Sequence, residues 1–238
     1  MLKTLFIMNI LQKYLEERHR DKKQDKDFGQ PGPVITISRE FGCSGKFLAD
    51  KLVERLSEEG HVPDKPNNWR VISKEILEHS ARELELHPSQ IEYVFKYEKK
   101  SAIDEILGAL SSKYYKSDRK IKNTIKKVIH NIGVEGNSVI LGRCGSIITK
   151  DIPRSLHLRL VAPLDWRTEV IAKRFNLEPK KARDYILDID KKRAQLRNEI
   201  AGETVDDTHY NLIMNARDFT FDEMVDVILS VLRVKKVI

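Results

Sequence analysis

The sequence predicts an α/β fold, a three-layer sandwich in which about five parallel strands carry helices on both faces. Three observations predict it. Short strand-like runs alternate with helical segments along most of the chain, the pattern of strand–helix–strand crossovers. The first run, VITIS from Val34 to Ser38, is β-branched and apolar enough for a central strand buried on both faces. It leads through the glycine turn EFGCSG directly into a helical segment.

The elements follow in order. Lys46 to Glu59 has helical spacing through Leu48, Leu52, Val53 and Leu56, and Gly60 stops it. WRVIS, Trp69 to Ser73, reads as a second strand, and Lys74 to Glu85 as a helix. HPSQIEYVFKYEKK begins another helix with Ser89 as its cap. A lysine-rich helix runs from about Asp118 to Ile132. Asn137 to Ser146 is a third strand closed by a glycine turn, and Leu156 to Pro163 a fourth. Asp165 to Phe175 is helical, and Glu178 to Ile200 is a long, highly charged helix. YNLIMNA forms the last strand, and Thr220 to Arg233 a final amphipathic helix.

Ahead of this core, Leu2 to Arg18 reads as an amphipathic helix with Leu5, Ile7, Met8, Leu11 and Leu15 on its apolar side. Packing on the body or on a second copy, giving a homodimer, suits it better than membrane contact. The polar stretch from His19 to Pro33 is a linker, so residues 1–33 form one region and 34–238 the core domain. No stretch reaches the roughly 20 apolar residues of a membrane span.

Composition supports a globular chain: of 238 residues, 40% are hydrophobic and 33% charged. The net charge of +7, from 43 basic and 36 acidic residues, suits small phosphate ligands. The basic run RKIKNTIKK carries an apolar face through Ile121 and Ile125, which favours a helix with a solvated basic side over a nucleic-acid site. The two cysteines, Cys43 and Cys144, lack zinc-ligand spacing and suggest no disulfide framework, which points to a reducing cytoplasm. The scattered histidines form no ligand pattern.

The glycine turn carries the chemistry. A strand-to-helix turn presents amide N–H groups at the positive end of a helix dipole, where phosphate binds. Gly42 and Gly45 permit positive φ and close approach, Ser44 adds a hydroxyl, and Lys46 supplies a point charge. Cys43 lies inside the turn as a small filler. Against the phosphate-loop pattern G-x-x-x-x-G-K-[ST], Glu40 replaces the first glycine and Phe47 the hydroxyl that holds Mg²⁺.

ITISREFGCSGKFLADKL resembles the phosphate loop of the cytidylate-kinase-like family. RVISKEILEHSARELELHPSQIEYVFKYEKK is similar to the region that opens the family's monophosphate-binding part. NSVILGRCGSIITKDIPRSLHLRLVAPLDWR is similar to its G-R-G strand and the A-P-x-x-x-R segment that follows. DIDKKR fits its D-x-x-R lid element, and YNLIMNARDFTFDEMVDVI its closing strand and helix. The similarity spans roughly Val34 to Leu232.

The resemblance implies a nucleoside-monophosphate-kinase fold with a helical monophosphate-binding region at residues 74–132 and a lid at 176–200. It implies ATP as donor, Mg²⁺, and a nucleoside monophosphate such as CMP as acceptor. Arg39 and Gly42 to Lys46 would hold the donor phosphates, Arg143 the acceptor phosphate, and Arg174, Asp190 and Arg193 would close over the reaction with Lys46. Arginine suits such a lid, because its planar fork bonds two oxygens and stays charged. Two departures stand out. The Mg²⁺ ligand is open among Ser44, Ser38 and a carboxylate acting through water. Leu141 and Cys144 stand where the cytidylate kinases carry the acids that help recognise the monophosphate. A phosphotransferase and a nucleotide-binding module without turnover therefore both stay open.

Overall fold

Val34–Arg39 forms strand β1 at the centre of the sheet, with its first five residues buried. The computed structural model describes residues 31–59, 68–73, 75–92, 94 and 117–238. The expected N-terminal helix, and most of the helix expected after His87, lie outside these residues. The first helix, α1 (Gly45–Glu59), follows the glycine turn. Next come β2 (Arg70–Ile72), α2 (Glu75–Leu84) and α3 (Asp118–Glu135). Strand β3 (Ser138–Leu141) leads into the short α4 (Gly145–Ile148), and β4 (Ser155–Val161) into α5 (Leu164–Phe175). The long α6 (Pro179–Ala201), β5 (Leu212–Asn215) and α7 (Phe221–Val234) complete the chain.

All five strands run parallel, in the order β2-β3-β1-β4-β5. The chain fills the β2/β3 side of β1 first and then crosses to the β4/β5 side. Strand β1 therefore lies at the switch point, where the carboxyl ends of parallel strands open a crevice.

Alternation along the strands sorts the core into two layers. Ile35, Ile37, Val139, Leu141, Leu156, Leu158 and Leu160 face α1 and α7, meeting Leu48, Leu52, Ile228 and Leu232. Val34, Ile72 and Ile140 face α2 and α3, meeting Ile76, Ile121, Ile125 and Ile129. A third, smaller core of Ile171, Ala182 and Ile186 joins α5 to α6. Trp69 and Trp166 both belong to the first layer.

Local chemistry marks several boundaries. Thr220 and Glu223 form a reciprocal capping box at α7. Ser117 caps α3 through the Lys120 amide. At Pro88–Gln90 the chain makes a 3₁₀ turn capped by His87, whose side chain accepts from the Ser89 amide, so Ser89 is the capped residue and not the cap. Short α4 is an addition to the sequence expectation. No described helix is long and apolar enough to cross a membrane.

His157 is buried on β4, with Nδ1 against Thr36 Oγ1 at 2.9 Å. Burial, helped by the charge of Lys235, pushes its pKa down to about 4. Above the ordinary value of 6.5 the ring is neutral in both folded and unfolded chains. As pH falls from 6.5 toward 4, only the unfolded chain takes up the proton, and stability is lost. Urea unfolding should show this loss, up to about 3 kcal/mol at full titration. A His157→Gln variant should have a visibly flatter profile between pH 6.5 and 4.

Candidate functional site

The turn after β1 gathers its geometry from two left-handed residues, Gly42 at φ +104° and Ser44 at φ +44°. They flank Cys43 and curl the backbone so that successive amides face one side. At Gly42 the chain also passes close to α5, where an added Cβ would lie 3.1 Å from Arg167 Cβ. Of the turn's amides, Phe41 N donates to Asp190 Oδ1 at 2.8 Å, and Cys43 N to Glu40 O at 3.3 Å. No described hydrogen bond uses the amides of Gly42, Ser44, Gly45 or Lys46. Those groups sit at the first turn of α1, where helical amides lack intrahelical acceptors and the dipole favours an anion.

Beneath the turn lies Arg167, only 6% exposed. Its Nε donates to Ala162 O at 2.9 Å, and its Nη1 to Phe41 O at 3.2 Å and Asp190 Oδ2 at 2.6 Å. Glu40 Oε2 stands 3.4 Å from Arg167 Nε and accepts from Ala162 N at 3.0 Å. Glu40 thus holds the turn to the β4–α5 connection. That role explains a carboxylate where a phosphate-loop glycine is expected. Asp190 bridges α6 to the turn amide and to Arg167.

Other cations ring the turn. Arg174, at the end of α5, donates from Nη2 to Ser44 Oγ at 3.0 Å. Arg193 reaches Arg39 O from Nη1 at 3.3 Å, and its guanidinium lies over the Phe41 ring at 5.3 Å. The Arg39 side chain passes Gly45, and its Nη1 packs onto Gly142 after β3. Lys46 is turned away: Nζ pairs with Asp50 Oδ2 at 2.8 Å, and the side chain is 69% exposed. Phe47 also points outward, its ring 4.6 Å from Phe221. At Gly45 α1 passes close to the end of β3, where an added Cβ would lie 3.3 Å from Leu141 Cδ1.

Arg143 sits in a second turn, across the crevice at the end of β3. Gly142, Arg143 and Cys144 are all left-handed, at φ +72°, +55° and +57°. Arg197, Lys126 and Arg143 all act electrostatically on Cys144, which places their charges around this turn. Arg197 Nε is buried with no hydrogen-bond partner among the described atoms. The far end of α6 is tied to α3 here, through Lys122 to Glu199 at 2.6 Å and Lys126 Nζ to Ile200 O at 3.2 Å.

Burial disfavours the thiolate form of both cysteines. Burial, with the charge of Glu40, pushes Cys43 up to about 12, and burial pushes Cys144 up to about 12.

Nor do the oxygens around the turn fit a protein-held Mg²⁺. Ser44 is engaged by Arg174, Asp190 by Phe41 N and Arg167, and Glu40 by Ala162 N and Arg167, while Ser38 is buried in β1. Among the described residues no group of three or more His, Cys, Asp or Glu side chains could hold a metal. A Mg²⁺ ion carried on a nucleotide would keep phosphate oxygens and water as its ligands. A surface cavity of about 330 Å³ lies at the opposite, amino-terminal edge of the sheet, lined by Pro33, Trp69, Asn137 and Arg154, far from this chemistry.

Arg167, the arginine of the A-P-x-x-x-R segment, is the residue here to which sequence reasoning assigns no role. Its signal was present: it stands four residues before the buried Ile171, on the inward face of α5. A charge on an apolar helix face requires a partner. Removing it strands two carboxylates in part-buried positions. Arg167→Ala should lower unfolding free energy by about 3–5 kcal/mol. Arg183→Ala, which breaks an exposed pair with Asp165, should cost at most about 1 kcal/mol in the same denaturation series.

A structure of an uncharacterized protein from Eubacterium ventriosum ATCC 27560 superposes with a TM-score of 0.60 at 21% identity, covering 87% of this chain and 99% of that one. It shares the fold. Shikimate kinase from Bacteroides thetaiotaomicron matches at TM-score 0.47 and 13% identity, over 84% of this chain and 98% of that one. TT1252 from Thermus thermophilus matches at TM-score 0.43 and 13% identity, over 84% and 97%. No curated protein matches the chain by sequence. The model of the cytidylate kinase-like family matches residues 34–218, most of the chain and both turns of the crevice. The chain belongs to the cytidylate kinase-like family.

Proposed function

We propose that the protein is a phosphotransferase. In this reading it binds the phosphates of a nucleotide such as ATP on the Gly42–Lys46 turn and passes the terminal phosphoryl group to a small acceptor beside Arg143. The observation that carries the reading is the set of four uncommitted amides at the front of α1, ringed by Arg39, Arg174 and Arg193. Phosphoryl transfer asks little covalent help of a protein. It asks for alignment and for positive charge over the equatorial oxygens. Arginines from β1, α5 and α6 supply such charge from three directions.

Within this reading Arg143 binds the acceptor's phosphate, and Arg197 and Lys126 add charge beside it. Arg193 and Asp190 hold α6 over the donor, with residues 176–200 serving as the cover of the site. Lys46 serves the phosphates only after leaving Asp50, an exposed pair worth at most about 1 kcal/mol. A nucleoside monophosphate is the default acceptor. Cytosine in particular is not favoured, because Leu141 and Cys144 give its amino group no carboxylate.

A second reading is a module that binds nucleotide without turnover. It is favoured by the outward Phe47, the Lys46–Asp50 pair and the committed oxygens around the turn.

Purified protein with ATP, Mg²⁺ and each of CMP, dCMP, UMP and AMP separates the two. The first reading expects a nucleoside diphosphate with at least one acceptor. It also expects Arg143→Ala to lower kcat/KM for that acceptor about tenfold or more, a loss of about 1.4 kcal/mol or more. Thermal stabilisation by ATP with no product from any acceptor supports the second. Neither product nor stabilisation would rule out both.

A further inference from the structure

Beside the glycine turn lies a chain of aromatic rings that the phosphate chemistry does not use. It starts in the turn itself. Phe41 is met edge-on by Tyr185 of α6, with centroids 5.3 Å apart and planes at 84°. Tyr185 is met in turn by Phe175, the last residue of α5, at 6.3 Å and 84°. Phe175 is 50% exposed and Tyr185 43%. The small core joining α5 to α6 is already closed beneath them by Ile171, Ala182 and Ile186, each fully buried. Two large rings, in edge contact with each other, are thus left about half exposed at the surface above that core.

Their position is fixed relative to the cradle. Arg174, next in sequence to Phe175, holds Ser44 Oγ at 3.0 Å, and Arg193 covers the Phe41 ring. On the other flank Phe47 is exposed too. There the ring is already occupied, by Phe221 at 4.6 Å and by the Lys51 ammonium at 5.9 Å.

We propose that Phe175 and Tyr185 form a stacking platform for the aromatic base of the nucleotide whose phosphates lie on the Gly42–Lys46 turn. This rests on the nucleotide-binding reading above and adds to it how the ligand is told from a bare polyphosphate. Stacking a base on an aromatic ring accounts for about 1–3 kcal/mol in other proteins and accepts any base, since every base has a π-face. The platform therefore selects for a nucleotide over an inorganic chain of equal charge, without by itself choosing among bases.

Calorimetry on the full chain, with ATP and with inorganic tripolyphosphate and no acceptor present, tests this. Wild type should bind ATP about tenfold tighter than tripolyphosphate or better. The Phe175→Ala/Tyr185→Ala variant should lose about tenfold in ATP affinity and keep its tripolyphosphate affinity. Phe175→Trp should retain the affinity for ATP. Should the double alanine variant unfold, Phe175→Leu/Tyr185→Leu keeps the apolar bulk and removes the π-faces, and the same loss is expected. ATP binding that ignores both double changes overturns the platform. So does an equal loss for tripolyphosphate, which would mean that the rings only shape the turn. Binding of neither ligand to wild type removes the nucleotide reading itself, and the platform with it.

Discussion

One buried guanidinium holds the site together. Arg167 lies under the glycine turn with almost no exposure, and its Nε and Nη1 meet two backbone carbonyls and two carboxylates. A cation taken out of water is tolerable only when its hydrogens find acceptors and its charge is matched. Those acceptors come from three parts of the chain that are distant in sequence: the turn after β1, the end of β4, and the middle of α6. Satisfying one side chain therefore fixes the relative placement of all three.

The arrangement also sorts charges by task. Glu40 and Asp190 are turned inward onto Arg167, and Arg193 Nη1, 3.9 Å from Asp190, brings the second positive charge that balances the pair, so their opposition to an anion at the turn is reduced. Arg39, Arg174 and Arg193 are directed to the turn's own surface or to the neighbouring strand end. The local field is then set by helix amides and guanidinium groups, the surroundings that suit a phosphate.

Much of the fold is legible in the sequence, because the signals are local. VITIS reads as a central strand, and β1 is that strand. The spacing of Leu48, Leu52 and Leu56 gives the buried face of α1. Gly42 takes the left-handed φ expected of it, but the second left-handed residue is Ser44 and not Gly45, which already lies in the first turn of α1 and is small because Leu141 and Arg39 pack against it. What stays hidden is contact over long separations. Arg167 meets the Phe41 carbonyl 126 positions away, and Asp190 meets the Phe41 amide 149 positions away. No periodicity encodes such pairs. Lys46 illustrates the reverse case: a motif suggests a phosphate ligand, while the i,i+4 spacing to Asp50 already offers the rival partner on the same helix face.

The turn after β3 has a consequence for how the chain tolerates change. Three successive residues there wind the wrong way for L-amino acids, and two of them carry side chains. Each such residue sacrifices about 1–2 kcal/mol of folding energy. Glycine at position 143 or 144 would release that tension, whereas valine or isoleucine would deepen it. A survey of substitutions at these two places would thus find stability and side-chain chemistry pulling in opposite directions, with the sturdiest variants those that have given up the arginine.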